Sequence, residues 1–186
     1  MTIYFLSSNE NKIHEVRSIL ESDHIKVLPV NEKINEIQSN DMIEIAVDKV
    51  LKAFKSIGRP IFVEQTGLHL KDFGGLPGGL TQVFWDSLKA DNFSKYFSTT
   101  GTAQVTAKTV IAYCDGKQIQ TFEGDISGAI ISPPRGDRGF QWDCVFQPDT
   151  YKETFAEMGE KKNAISMRKI ALERFRDYLE GLCTKN

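Results

Sequence analysis

Two long β-rich stretches meet at Asp115-Gly116 in the middle of this chain, and helical stripes flank them on both sides. TAQVTAKTVIAYC (102–114) and KQIQTFEGDISGAI (117–130) are rich in branched and aromatic residues, and an Asp-Gly pair between such runs is a strong hairpin signal. Pro133-Pro134-Arg135-Gly136 interrupts the second run. Nearer the start, TIYFL (2–6) is a short apolar run, Ser7 to Lys12 are polar and turn-like, and Ile13, Val16, Ile19 and Leu20 recur at helical spacing. This reads as strand, loop, helix. A second helix starts near Asn40 or Asp41, carries Ala46, Val50, Phe54 and Ile57 on one stripe, and ends at Gly58 and Pro60. IFVEQ (61–65) reads as a strand closed by Thr66-Gly67, and DFGGLPGG (72–79) is turn chemistry. Residues 80–97 read as one or two helices broken near Ala90-Asp91, and Ile170, Ala171, Phe175, Leu179 and Leu182 mark a C-terminal helix starting near Ser166. Strands and helices in this mixed order define an α/β or α+β protein.

The 186 residues suit a single domain spanning 1–186, with no internal repeat and no low-complexity linker. An apolar share of 40% and a charged share of 26% exclude a disordered chain. No run approaches the roughly 18 apolar residues of a membrane span, and the N-terminus lacks a signal peptide's charged-then-apolar order. Twenty-three basic against 25 acidic residues leave a net charge of −2, so bulk charge offers no argument for nucleic-acid or membrane binding. Cys114, Cys144 and Cys183 are odd in number and lack metal-ligand spacing, so a reduced, cytoplasmic, unbridged protein is expected.

Five stretches could carry chemistry. SSNENK (7–12) places Asn9, Lys12 and free N–H groups at a helix start, where a triphosphate could sit, although any strand–helix junction shares that geometry. Glu44 and Lys49 lie on the second helix, but five residues turn about 500°, so they only loosely share a face. VEQTG (63–67) ends a strand with a carboxylate beside a tight turn, a common place for metal binding or water activation. Adjacent strand residues point to opposite faces, so Glu64 and Gln65 share one pocket only if the strand bulges. In RGDRGFQWDCVF (135–146), aromatic residues alternate with polar ones, which suits either base stacking beside a carboxylate or an amphipathic strand with buried rings. KKNAISMRK (161–169) puts a lysine and an arginine around a serine at a helix start, where basic residues oppose the helix dipole and favour an anionic ligand.

Taken in order, SSNENK, VEQTGL, GGLPGG, RGDRGFQWD and KKNAISMR resemble the inosine triphosphate pyrophosphatase family over nearly the whole chain. The resemblance implies hydrolysis of non-standard purine nucleoside triphosphates to monophosphate and pyrophosphate, with Mg2+ as cofactor and a homodimer as the usual assembly. It implies an elongated, twisted mixed sheet with flanking helices forming two lobes around a central nucleotide cleft. Carried over by position, it assigns Ser7, Ser8, Asn9 and Lys12 to a phosphate loop, Glu44 to magnesium, and Lys49 and Thr66 to the phosphates. It assigns Phe140, Gln141, Trp142 and Asp143 to base recognition, with Lys162, Met167 and Arg168 in the late basic segment.

Three departures stand out against that pattern. Gln65 occupies the place of an aspartate that serves as metal ligand or base, and a neutral amide cannot accept a proton at pH 7. Met167 stands where the family has a histidine. Gln141-Trp142 replaces a glycine-tyrosine pair, and Cys144 replaces a proline. The expected chemistry is therefore magnesium-dependent pyrophosphate release, with Glu64 as second metal ligand or substitute base and Lys12 and Lys49 neutralising phosphate charge. The rival expectation is a sensor or scaffold that binds nucleotide without hydrolysis.

Overall fold

The computed structural model describes residues 1–98 and 104–183. Strand β1 (Thr2–Leu6) leads into helix α1 (Glu10–Leu20), whose first turn is closed by the N-cap Asn9 accepting from the Lys12 amide at 3.1 Å. The return strand β2 (Lys26–Val30) runs parallel to β1, a pairing that its Lys-Val-Leu-Pro-Val sequence signals only weakly. Asp41 caps helix α2 (Met42–Ile57) by accepting from the Ile43 and Glu44 amides, and Gly58 ends it in the left-handed conformation at φ 65°. Strand β3 runs from Ile61 to Leu70, past the expected close at Thr66-Gly67, because its ladder to the next long strand continues.

The glycine-rich turn contributes a two-residue strand β4 (Pro77–Gly78), and helix α3 (Thr81–Phe97) follows. Its expected break is a kink at Lys89, where φ is 57°. The hairpin of β5 (Gln104–Cys114) and β6 (Ile119–Ile130) pairs without interruption from Gln104↔Ala129 to Cys114↔Ile119. Thr102 and Ala103, part of the expected strand, lie outside the described residues. Residues 141–144 form a single 3-10 turn, so the alternating aromatics of that segment do not make the amphipathic strand. Strand β7 (Phe146–Pro148), the short helix α4 (Phe155–Met158) and the C-terminal helix α5 (Met167–Cys183) complete the chain.

The result is the expected α/β arrangement, an open mixed sheet of seven strands with flanking helices. Its order is β2-β1-β3-β5-β6-β7, with β4 hung on β3. Alternation along β1 sends Ile3 and Phe5 to a core under α1 and α5, and Tyr4 and Leu6 to a core under α2. Along the first of these faces β3 shows Phe62, then Glu64 and Thr66, then Leu68 and Leu70. Phe62 belongs to the α1/α5 core, whereas Leu68 and Leu70 belong to a third core built with α3 and the 142–158 segment. The polar pair therefore occupies a seam between two apolar clusters.

Candidate functional site

At that seam Glu64, 7% exposed, accepts from Arg168 Nε at 2.9 Å, Lys12 Nζ at 3.3 Å and the Thr66 hydroxyl at 2.8 Å. Arg168 also donates through Nη1 to Glu15 Oε2 at 2.7 Å. Burial alone pushes the Glu64 carboxyl up. The Arg168 and Lys12 charges, with hydrogen bonds from Arg168 and Thr66, outweigh it and hold the group far below the ordinary carboxylate range. Ser166 accepts from the Lys169 amide at 3.2 Å as α5 begins, so Arg168 stands in the first turn. Its opposition to the helix dipole is met by Glu15 and Glu64 from within the chain rather than by a ligand.

Two cavities flank this cluster. The first, about 310 Å³, opens at the end of β1 and is lined by Ser7, Ser8, Asn9, Lys12, Lys49 and Glu64, together with the loop after β2. From that loop Glu36 reaches Lys49 Nζ at 2.5 Å. The second, about 390 Å³, is bounded by Lys12, Glu15, Phe140, Asp143, Lys162 and Arg168. Here Lys162 lies 4.1 Å from the Phe140 ring centre and forms an ion pair with Asp143. Burial pushes the Asp143 carboxyl up, and the Lys162 charge and hydrogen bond offset this only in part. Glu15 Oε1 is buried with no hydrogen-bond partner among the described residues, an acceptor left open beside the cavity. Lys12 borders both spaces.

The cluster gathers most of the residues expected from sequence, with clear exceptions. Glu44 is exposed on the first turn of α2, accepts from the Ser39 hydroxyl at 2.6 Å, and does not line the first cavity. Of the carboxylates that do line it, Glu32, Glu36 and Glu64, the one paired with Lys49 is Glu36. Nothing in the long polar stretch 31–40 distinguishes it before the loop is folded. Gln65 lines neither cavity. The β3–β5 ladder holds its register from Ile61↔Cys114 to Leu70↔Val105, so no bulge brings Gln65 round to the face of Glu64.

Thr66 also stays off the first cavity, because its hydroxyl is spent on Glu64 and faces the Thr109 hydroxyl at 3.0 Å. Trp142 is 3% exposed, packs against Phe146 and Phe155 and does not line the second cavity, whose phenyl rings are those of Phe140 and Phe155. Met167, 4% exposed, belongs to the same core and does not border that cavity. Gln141 faces the first cavity instead of the second. Glu15 is the other residue that sequence reading passed over. It shares a helix face with Lys12 and Ile19 at i, i+3 and i+7, and a carboxylate at the rim of an apolar stripe is the signal that could have found it.

Fold and cleft together define an open-sheet α/β protein with a two-part cleft, one part lined with hydroxyls and lysines, the other floored by an aromatic ring. The chain belongs to the Ham1 family, whose sequence model matches residues 3–178. It is 39% identical to the inosine triphosphate pyrophosphatase of Kluyveromyces lactis, over 95% of each chain. It is 34% identical to the dITP/XTP pyrophosphatase of Methanopyrus kandleri, over 97% of each. A solved structure of a HAM1 protein from Coxiella burnetii superposes with a TM-score of 0.84 at 25% identity, covering 97% of this chain and 99% of that one.

Proposed function

We propose that this chain hydrolyses non-standard purine nucleoside triphosphates, such as those of inosine and xanthosine, to monophosphate and pyrophosphate. The observation that carries the reading is the pair of cavities joined at Lys12. The first offers lysines, hydroxyls and the N-terminus of α1 to an elongated anion, and the second offers a cation-backed aromatic face beside buried carboxylates. Relatives with the printed names inosine triphosphate pyrophosphatase and dITP/XTP pyrophosphatase support the substrate class.

The base stacks on Phe140, and the open oxygen of Glu15 accepts from an edge N–H. Lys12 and Lys49 take up charge that develops on the phosphates. Water attacks the α-phosphorus, the bond from that phosphorus to the bridging oxygen breaks, pyrophosphate leaves, and the proton passes to solvent. Mg2+ is usually held by one or two carboxylates plus substrate phosphates, and Glu36 and Glu64 on the first cavity fit that pattern. When bound, the metal would neutralise phosphate oxygens there. Gln65 takes no proton, and Glu64 is a weak acceptor because its carboxyl is held so low. Loss of a placed base costs about 10²–10⁴-fold, so slow turnover is expected.

No helix among the described residues is long and apolar enough to cross a membrane. Free Cys114, Cys144 and Cys183 suit a reducing, cytoplasmic setting for a single-domain enzyme. A second copy of the chain is the proposed partner, supported by exposed Phe73, Leu76 and Val83 on and after the glycine-rich turn. A panel of nucleoside triphosphates with magnesium tests the activity. Pyrophosphate released in one step is expected, and stepwise orthophosphate release overturns the reaction class. Tight binding without any turnover would favour a sensor, the reading that Gln65 and the ion-paired Glu64 support.

A further inference from the structure

Among the described residues, two that are not glycine hold a positive φ, Gln141 at 41° and Lys89 at 57°. That region is unfavourable for an L side chain and persists only where the surroundings hold it. Lys89 kinks α3, and Gln141 opens the 3-10 turn that follows Phe140. These two elements are tied together. Gln82, before the kink, accepts at Oε1 from Gln141 Nε2 at 2.8 Å, and Asp91, after it, accepts from Arg138 Nη1 at 3.0 Å. Nine residues turn about 900° on a straight helix, which would put Gln82 and Asp91 on opposite faces. The kink at Lys89 lets both reach one loop, 138–141.

That loop carries Phe140, whose ring lines the second cavity with Lys162 Nζ 4.1 Å from its centre. On the other side of Gln141, Trp142 is 3% exposed and fixed in the core, so it does not follow a change at residue 141. A return of Gln141 to negative φ would therefore rotate the backbone before it and displace Phe140 from the cavity. The hydrogen bond to Gln82 opposes that return from a firm base, since Phe93 and Phe97 bury α3 in the same core. The Arg138–Asp91 pair is 53% and 73% exposed, so it is screened by solvent and weaker. Neither Gln82 nor Asp91 lines either cavity, so both act through the loop. We propose that Gln82 is a positioning residue, which holds Gln141 at positive φ and so presents the Phe140 ring to the base. This role rests on the functional reading above and deepens it.

The test is calorimetry, in magnesium, with two ligands. One is the α,β-methylene analogue of inosine triphosphate, which lacks the scissile bond; the other is inorganic triphosphate, which fills only the anion-binding side. The natural protein should bind the analogue more tightly, and the ratio of the two affinities is the readout. Affinity falls with the fraction of protein in the binding-competent conformer. In Gln82→Leu the ratio should therefore drop about three- to tenfold, the worth of one ordinary hydrogen bond. Gln82→Glu keeps the accepting oxygen and should recover it. Glycine takes a positive φ unaided, so in a Gln141→Gly background Gln82→Leu should change the ratio no further. A ratio unchanged in Gln82→Leu, not recovered in Gln82→Glu, or reduced equally in the Gln141→Gly background overturns the proposal and leaves the substrate class intact. A natural protein that binds the analogue no more tightly than inorganic triphosphate overturns the functional reading and the proposal with it.

Discussion

On β3 the carboxylate at 64 and the carboxamide at 65 stand on opposite faces of the sheet, because the ladder to β5 is unbroken. Glu64 faces α1 and α5. Gln65 lies between Val63, packed under α2, and Gly67, whose added Cβ would come within 3.0 Å of Met42 Sδ on that helix. It therefore shares a side of the sheet with α2, which brings Lys49 to the first cavity. Gln65→Asp shortens the side chain and adds a charge on that side, where it can take a proton or hold a metal ion. Turnover on a purine triphosphate should rise by about one order of magnitude or more, the full value of an optimally placed base being about 10²–10⁴-fold. Unchanged turnover would put the attacked phosphorus on the Glu64 side. Glu64→Gln has a different consequence. It strips one carboxylate from a buried pair and should destabilise the fold by roughly 3 kcal/mol near neutral pH. The folded Glu64 carboxyl titrates below its ordinary value of 4.5, so its contribution is full above that value and lost as pH falls below it. The stability gap between the natural protein and Glu64→Gln should thus narrow in acid. Urea midpoints measured from about pH 6 down to about pH 3 read this directly, and a gap that widens in acid would contradict the pairing of Glu64 with Arg168 and Lys12.

Among the elements, α5 is placed by a missing side chain. A Cβ on Gly124 of β6 would lie 2.1 Å from the Met167 carbonyl oxygen and 2.6 Å from the Ala171 amide nitrogen, both backbone atoms of α5. Gly124→Ala must therefore push the helix that carries Arg168 away from the sheet. A loss of about 1–3 kcal/mol in stability is expected, with weakened nucleotide affinity as Arg168 retreats from Glu64 and Glu15. Unfolding curves with parallel titrations check both, and a variant as stable as the natural protein would mean that the sheet, not the helix, gives way. Nothing in GDISG announces that approach in sequence, since a glycine inside a strand also marks bulges. Local signals fared better. Asp41 and Gly58 bound α2 where a cap and a left-handed terminator belong, and Asp115-Gly116 turns the hairpin. What stayed illegible depends on non-local packing. Trp142 and Met167 stand at ligand positions by the family resemblance, yet both are claimed by the core that Phe146 and Phe155 build. Glu36 and Glu44 were indistinguishable until a ten-residue loop with no periodicity had folded over Lys49.

For the molecule as a whole, the seam between the cores makes Lys12 the joint of the cleft. It springs from the first turn of α1, reaches Glu64 on β3, and borders the anion cavity and the ring cavity alike. Its side chain is 19% exposed, so its charge is partly shielded from solvent but still open to a ligand. Lys12→Glu would set a second carboxylate against Glu64, itself held deprotonated by Arg168. Both negative charges would then face an incoming triphosphate. Removing one attractive contact and adding one repulsive one at an effective dielectric near 20 amounts to several kcal/mol, so triphosphate affinity should drop by roughly 100-fold or more. The neutral nucleoside meets a different balance, because Phe140, Asp143, Lys162 and the open Glu15 oxygen all remain. Its affinity should change only about threefold, well within 1 kcal/mol. Titrating the variant with inosine triphosphate and with inosine separates the two halves of the cleft. Equal losses for both ligands would show that the variant had disrupted the seam itself. Unchanged triphosphate affinity would place the phosphates away from α1 and undo the two-part cleft.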